Sequence, residues 1–246
     1  MKQIILTDLH GCYDEACRLL EKAKYDQSVD IILGVSDAVD KGPHSGKLVK
    51  MLASLPRVRN ICGNHEKKFL RFVKAYRKDE AKAMERKNAK QMEETLLQLT
   101  AKELNWLEAA SLWEAVDGMS AIVVHAGIEP ALKNLPDKTL KGKDADSFSP
   151  LWFCRYVKNG RMVPLGKEDK DCQFWADVYD GRFGFVFYGH QPFFQNNPKE
   201  NQHSVGLDLG GVMGGKLVAA IVEEGNVRFE SVDSKAYCNK HEVYPE

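Results

Sequence analysis

The chain has 246 residues, 43% of them hydrophobic and 28% charged, with 35 basic side chains against 35 acidic ones. That length accommodates one α/β domain with a large core, and the composition excludes disordered, collagen-like and coiled-coil architectures. Zero formal charge gives no global pull toward nucleic acid or anionic membrane, and no apolar run reaches the roughly 18 residues of a membrane-crossing helix.

Ile4 to Thr7 reads as a buried strand, and Asp14 to Lys24 as a helix with Ala16, Leu19, Leu20 and Ala23 on one face. Ile31 to Val35 is a second strand, Ser45 to Ser54 a helix between Pro43 and Pro56, and Val58 to Cys62 a third strand. This alternation predicts a parallel sheet with crossover helices. From Glu66 to about Ala110 the period is helical, with Phe69, Phe72, Val73 and Tyr76 on one stripe, and is read as an inserted cap at about 67–112. Within it, Lys67 to Lys90 holds ten Lys/Arg against three acids. A solvated helical face is the ordinary reading of such a run, and a phosphate-rich or acidic ligand the alternative.

Ser120 to Val124 is a further strand, and Lys133 to Lys170 is rich in loops. Phe185 to Tyr188, Ser204 to Leu207, Lys216 to Glu223 and Asn226 to Val232 complete a strand-rich second half. The layout predicts two sheets packed face to face and flanked by helices, in a single domain over 1–246. The Met1 to Asp8 run is too short for the apolar stretch of an export signal. Cys12, Cys17, Cys62, Cys154, Cys172 and Cys238 contain no Cys-x-x-Cys pair, so reduced thiols in a cytoplasmic protein are expected.

The chemistry-bearing residues follow the apolar strands. Asp8 and His10 follow Ile4-Ile5-Leu6, Asp37 and Asp40 follow Ile31-Ile32-Leu33, and Asn64 and His65 follow Val58 to Gly63. His125 follows Ile122-Val123-Val124, and His190 follows Phe185 to Gly189. Singly, each is explained by a turn, a helix cap or a satisfied core histidine. Together they place five polar segments along the carboxyl edge of a sheet, where ligands bind. His44, His203 and His241 do not share that placement and are given no ligand role. Carboxylates, imidazoles and one amide, without thiolates, suit first-row divalent ions. The donors exceed what one tetrahedral ion needs, whereas two ions about 3.5–4 Å apart sharing a carboxylate use them all.

These residues resemble the phosphoprotein-phosphatase branch of the metallophosphoesterases. Its motifs have counterparts in Thr7-Asp8-Leu9-His10-Gly11, Ser36-Asp37-Ala38-Val39-Asp40-Lys41-Gly42 and Gly63-Asn64-His65-Glu66. His125-Ala126-Gly127, Tyr188-Gly189-His190 and Leu207-Asp208-Leu209-Gly210-Gly211 resemble its later motifs. The resemblance implies a four-layer α-β-β-α sandwich of two mixed sheets with an inserted helical cap. It implies a binuclear centre in which Asp8, His10 and Asp37 hold one metal, and Asp37, Asn64, His125 and His190 the other. Manganese is the expected ion, with iron or zinc as alternatives. A metal-bridging hydroxide would attack phosphorus, with His65 protonating the leaving oxygen and Asp40 orienting and raising the pKa of His65. Lys41 stands where the family carries Arg, and Ser36 and Thr7 where it carries Gly. Lys41 and Arg155 are the expected phosphate-binding residues.

The implied activity is phosphoric ester hydrolysis, with a serine/threonine-protein-phosphatase-like phosphomonoesterase as the leading reading. Symmetrical cleavage of dinucleoside tetraphosphates and RNA-end hydrolysis remain open within the resemblance. A binding scaffold on the same fold is the non-enzymatic alternative. The expected partners are a phosphorylated protein or nucleotide substrate, with no membrane and no stable nucleic-acid partner.

Overall fold

The computed structural model describes residues 1–238, so His241 lies outside the described residues. In chain order the elements begin with β1 (Gln3–Leu6), α1 (Tyr13–Lys22), β2 (Ile31–Val35), α2 (Ser45–Ser54) and β3 (Val58–Asn60). Then come α3 (Asn64–Lys78), α4 (Glu80–Met84), α5 (Ala89–Gln98), α6 (Ala101–Ala109), β4 (Trp113–Ala115) and β5 (Ala121–Val124). Short pieces follow: α7 (Gly142–Asp146), α8 (Pro150–Phe153), β6 (Tyr156–Lys158), β7 (Arg161–Met162), β8 (Gln173–Phe174) and α9 (Trp175–Val178). The last are β9 (Phe185–Tyr188), β10 (Lys199–Asn201), β11 (Ser204–Gly206), β12 (Lys216–Glu223) and β13 (Asn226–Asp233).

The strands form two five-stranded mixed sheets, β13-β12-β1-β2-β3 and β10-β11-β9-β5-β4, and β7-β6-β8 make a small third sheet. Within the first, β1, β2 and β3 run parallel; within the second, β5, β9 and β11 do. The outer strands pair antiparallel. Successive side chains of a strand point to opposite faces, so β1 and β2 serve two cores. Ile5 and Leu33 meet Val123 and Phe187 of the second sheet, whereas Ile4, Leu6 and Ile32 pack under the helices. Ile122, Val124, Val186 and Tyr188 project outward from the second sheet onto Trp152 and Trp175. The result is the expected α-β-β-α layering.

The helical segment contributes Phe69, Phe72, Val73, Leu104 and Leu107 to the same core as Leu19 of α1 and Leu48 of α2. The third strand ends at Asn60, short of the expected Cys62, and Ile61 instead makes an isolated bridge to Ser111. Gly34 sits at a register shift in the β2–β3 pairing. Its φ is +75°, and a Cβ there would lie 2.5 Å from Val123 Cγ1 in the opposite sheet. A side chain would therefore push the sheets apart. Among the described residues, no disulfide joins the cysteines. Among the described residues, no helix is long and apolar enough to cross a membrane.

Candidate metal and phosphate site

The parallel strands of both sheets end at one edge, and each is followed by a turn that aims a polar side chain into it. β1 leads to Asp8 and His10, β2 to Asp37 and Asp40, and β3 to Asn64 at the start of α3. The second sheet supplies His125 after β5 and His190 after β9. Asp8, His10, Asp37, Asp40, Lys41 and His190 all have φ between 41° and 70°. Left-handed backbone at a non-glycine residue costs of order 1 kcal/mol and persists only where its surroundings over-determine it.

The hydrogen bonds supply that constraint. Asp8 N donates to Ser36 O at 3.0 Å, and His10 N to Asp37 O at 2.7 Å. The buried Glu66 carboxylate accepts from the backbone N–H groups of Asp37 (2.7 Å), Ala38 (2.7 Å), Gly63 (3.0 Å) and Val39 (3.4 Å), pinning the loop after β2 to α3. Gly63 and Gly189 give the carboxylates room: a Cβ would fall 2.0 Å from Asp37 Oδ1 or 1.8 Å from Asp8 Oδ2. Asp8 is held by His190 N, which donates to its Oδ1 and Oδ2 at 3.1 and 3.0 Å.

Asp37 is the hub. Its Oδ2 lies 3.5 Å from His125 Nε2, 3.8 Å from His10 Nε2 and 3.9 Å from His65 Nε2, and its Oδ1 accepts from His65 N at 2.9 Å. Asn64 Oδ1 is shared between His125 Nε2 at 2.8 Å and His190 Nδ1 at 3.0 Å. Two groups have ligand atoms mutually within 4.8 Å, His10–Asp37–His65 and Asp8–Asp37–His125, and Asp37 belongs to both. All six side chains expected as metal ligands therefore meet in one cluster. His65 lies closer to the His10 group than the strand-end pattern implies. His10 Nδ1 donates to Val39 O at 3.2 Å, which leaves its Nε2 lone pair facing the cluster. His125 Nδ1 contacts Ser36 Oγ at 3.0 Å and so turns its Nε2 inward.

Burial shapes the electrostatics. It raises the Asp8 carboxyl well above its usual range, with help from Asp208 and Asp37. Asp37 is pushed up to about 7 by burial against the opposing charge of Lys41. Glu66 is pushed up to about 8 by burial and by Asp37, and burial likewise raises Asp208, whose Oδ1 accepts from Gly210 N at 2.9 Å. His10, His125 and His190 are lowered well below the imidazole range by burial. Neutral imidazoles are the form that ligates metal. Crowded acids whose charge is disfavoured are relieved by a nearby cation. The donor set thus fits divalent metal.

His65 Nδ1 lies 2.9 Å from Asp40 Oδ2, which also accepts from Lys68 Nζ at 2.6 Å. Burial raises the Asp40 carboxyl, but these two partners more than reverse it and hold it far below the carboxylate range. The expected rise in the His65 pKa does not occur. Burial lowers it, and the Lys41 and Lys68 charges add to that, outweighing Asp40. Lys41 Nζ lies 3.0 Å from His10 Nε2, and Arg155 Nη2 donates to His190 O at 3.2 Å.

Both basic residues line a cleft of about 440 Å³ with Asp8, Asp37, Asn64, His65 and His190. Phe153, Met162 and Leu165 form an apolar wall of the same cleft. His44 and His203 stand apart: His44 precedes α2, and His203 stacks edge-on against Tyr179. Two contributors are not apparent from the strand ends. Lys68 shares a face of α3 with His65, three residues on, a spacing that could have flagged it. Ser36 marks itself only by departing from the family's glycine.

Residues 1–194 match the calcineurin-like phosphoesterase family. The chain belongs to that family. As a calcineurin-like phosphoesterase it is a phosphoric ester hydrolase. A Bacillus mycoides protein named asymmetrical bis(5'-nucleosyl)-tetraphosphatase is 30% identical over 233 residues, 88% of this chain and 89% of that protein. A Halalkalibacterium halodurans protein of the same name is 26% identical over 245 residues, 94% of this chain and 93% of that one. The fold of this phosphoesterase is similar to that of a candidate diadenosine tetraphosphatase, with TM-score 0.73, 23% identity and coverage of 95% and 94%. It is also similar to that of a protein serine/threonine phosphatase from Saccharomyces cerevisiae, with TM-score 0.61, 16% identity and coverage of 96% and 80%.

Proposed function

We propose that this phosphoesterase is a binuclear-metal hydrolase that cleaves dinucleoside tetraphosphates asymmetrically. The observation that carries the hydrolytic chemistry is the pair of donor groups sharing Asp37 at the floor of the cleft. The nucleotide substrate is supported by the names of the two relatives and by the apolar wall of Phe153, Met162 and Leu165, which suits a nucleobase. In this reading Asp8, His10, Asp37, Asn64, His125 and His190 hold two divalent cations, manganese first among the candidates. When bound, such a pair acidifies water near neutral pH and offsets the negative charge of the phosphate.

The chain's own residues do the rest. Lys41 and Arg155 bind phosphate oxygens, Lys41 as a point charge and Arg155 as a planar fork. Asp40, clamped by Lys68, accepts from Nδ1 of His65 and fixes the ring so that Nε2 faces the cleft. An anionic phosphate beside that ring favours its protonated form, and Nε2 then passes its proton to the leaving oxygen. The reading treats 1–246 as one cytoplasmic metallophosphoesterase domain whose helical insertion spans about 67–112.

The second reading, phosphomonoester hydrolysis on a serine/threonine phosphoprotein, draws on the Asp40–His65 pair. Side-by-side assays on diadenosine tetraphosphate, a phosphopeptide and p-nitrophenyl phosphate separate the two. The expected products from the dinucleotide are ATP and AMP; two ADP would mean symmetrical scission, and turnover of the phosphopeptide alone would favour the second reading. Chelation should abolish hydrolysis and manganese restore it. His65→Ala should lower kcat about 10²- to 10⁴-fold. A scaffold would show no metal-stimulated turnover on any of the three.

A further inference from the structure

The basic run that begins at Lys67 is not absorbed by the catalytic cleft, and part of it has a distinct place in the fold. Lys67, Arg71 and Lys74 recur at helical spacing on one face of α3, and that face forms a wall of a second cavity, of about 320 Å³. Lys141, just ahead of α7, also lines it. Leu70, Leu107, Leu112, Leu140 and Trp152 supply most of its apolar lining. Lys67 Nζ sits 3.4 Å from the centre of the Trp152 ring. Trp152 itself is 3% exposed, and its indole N–H has no hydrogen-bond partner among the described residues.

Four basic side chains line this cavity against two acidic ones, Glu108 and Asp146. Lys67 is ion-paired with Asp146, and Lys141 donates to Ala110 O. Arg71 and Lys74 are exposed and form no ion pair among the described residues. Arg71 lies within electrostatic reach of Asp146, whose carboxyl it helps Lys67 to depress, and the lining as a whole keeps a net positive charge. The volume is at the low end of small-molecule pockets. A matching ligand is small, flat and apolar at one end and anionic at the other.

We propose that this cavity is a second binding site that takes a nucleoside phosphate, with the base against Leu70 and Leu140 and the phosphates at Arg71 and Lys74. It is separate from the catalytic cleft, although adjacent residues of α8 serve the two: Trp152 faces this cavity, and Phe153 lines the cleft. The proposal does not depend on which ester the cleft hydrolyses, because its test is a binding measurement.

The full chain, loaded with manganese, is titrated calorimetrically with α,β-methylene-ADP, whose bridge between the two phosphorus atoms resists hydrolysis. Two binding events are expected. Asp37→Asn should remove the one in the cleft, and Arg71→Glu with Lys74→Glu should weaken the other at least 10-fold. The charge-reversed variant should hydrolyse p-nitrophenyl phosphate at the wild-type rate, which also shows that it folds. Leu140→Trp, which fills the slot without touching the charges, should abolish the same event. A single event lost in Asp37→Asn, or a second event indifferent to both cavity variants, overturns the proposal. So does inorganic phosphate bound as tightly as the nucleotide at the Arg71 and Lys74 side chains, since the apolar wall would then contribute nothing.

Discussion

Two side chains far from each other show how a buried carboxylate is held. Glu66 is 2% exposed, and its oxygens accept from four backbone N–H groups on two loops. Glu66→Ala would strand those donors, so a stability loss of about 2–4 kcal/mol is expected in denaturant titration. Groups that orient metal ligands typically matter 10- to 100-fold in affinity, and a manganese titration of the same variant should show a loss of about that size. Asp30 is buried just before β2, at the end of that strand away from the site. Burial raises its pKa, but N–H groups of Asp26 and Lys2 and the Lys2 ammonium more than offset that, leaving it depressed. A depressed carboxyl stabilises the fold above its unfolded pKa near 3.9 and loses that contribution as pH falls through the folded value. Asp30→Asn should therefore cost about 1–2 kcal/mol at pH 7, and the gap from wild type should close in melting curves below pH 4.

The elements differ in how openly their sequences declare them. The apolar runs of β1, β2, β5 and β9, each soon followed by Asp or His, are legible because a strand buried on both faces must be apolar throughout, and polar residues must wait for its end. Thr100 and Glu103 form a capping box at the start of α6, with Glu103 Oε2 accepting from Thr100 N at 2.8 Å and Thr100 Oγ1 accepting from Lys102 N at 3.3 Å. Thr100→Ala should lower stability by about 1 kcal/mol, a melting shift of about 2–4 °C, with hydrolysis unchanged. The strands β6, β7 and β8 stay hidden in the loop-rich stretch, since two or three residues are too few to display a period. Ser36 is hidden for another reason: its partner His125 is 89 residues away, and only the packed sheets bring the two together. His65 is misjudged from sequence because a neighbouring carboxylate is visible there, whereas the depth of burial is not.

For the whole molecule, the decisive dimension is the gap between the two sheets. Gly34 and Val123 set it at one point, where any side chain on residue 34 meets the opposite strand. Gly34→Ala adds both an overlap and an unfavourable positive φ, so a loss of about 2–4 kcal/mol is expected. Val123→Ala should itself be destabilising, yet the double variant should be less so than the two effects added, by about 1 kcal/mol. The overlap is relieved, and the backbone strain remains. Denaturant midpoints of the four proteins close that cycle.

The hydrogen bonds from His190 N to Asp8 join residues 182 positions apart. During synthesis, the first carboxylate must wait for β4, β5 and β9 of the second sheet before its holder exists. A nascent chain halted before residue 190 would lack one of the six proposed ligands, His190, together with the N–H that holds both oxygens of Asp8. In the proposed function, firm ion binding therefore waits until residue 190 is in place, and chains arrested before it should lose manganese through gel filtration where the full chain keeps it.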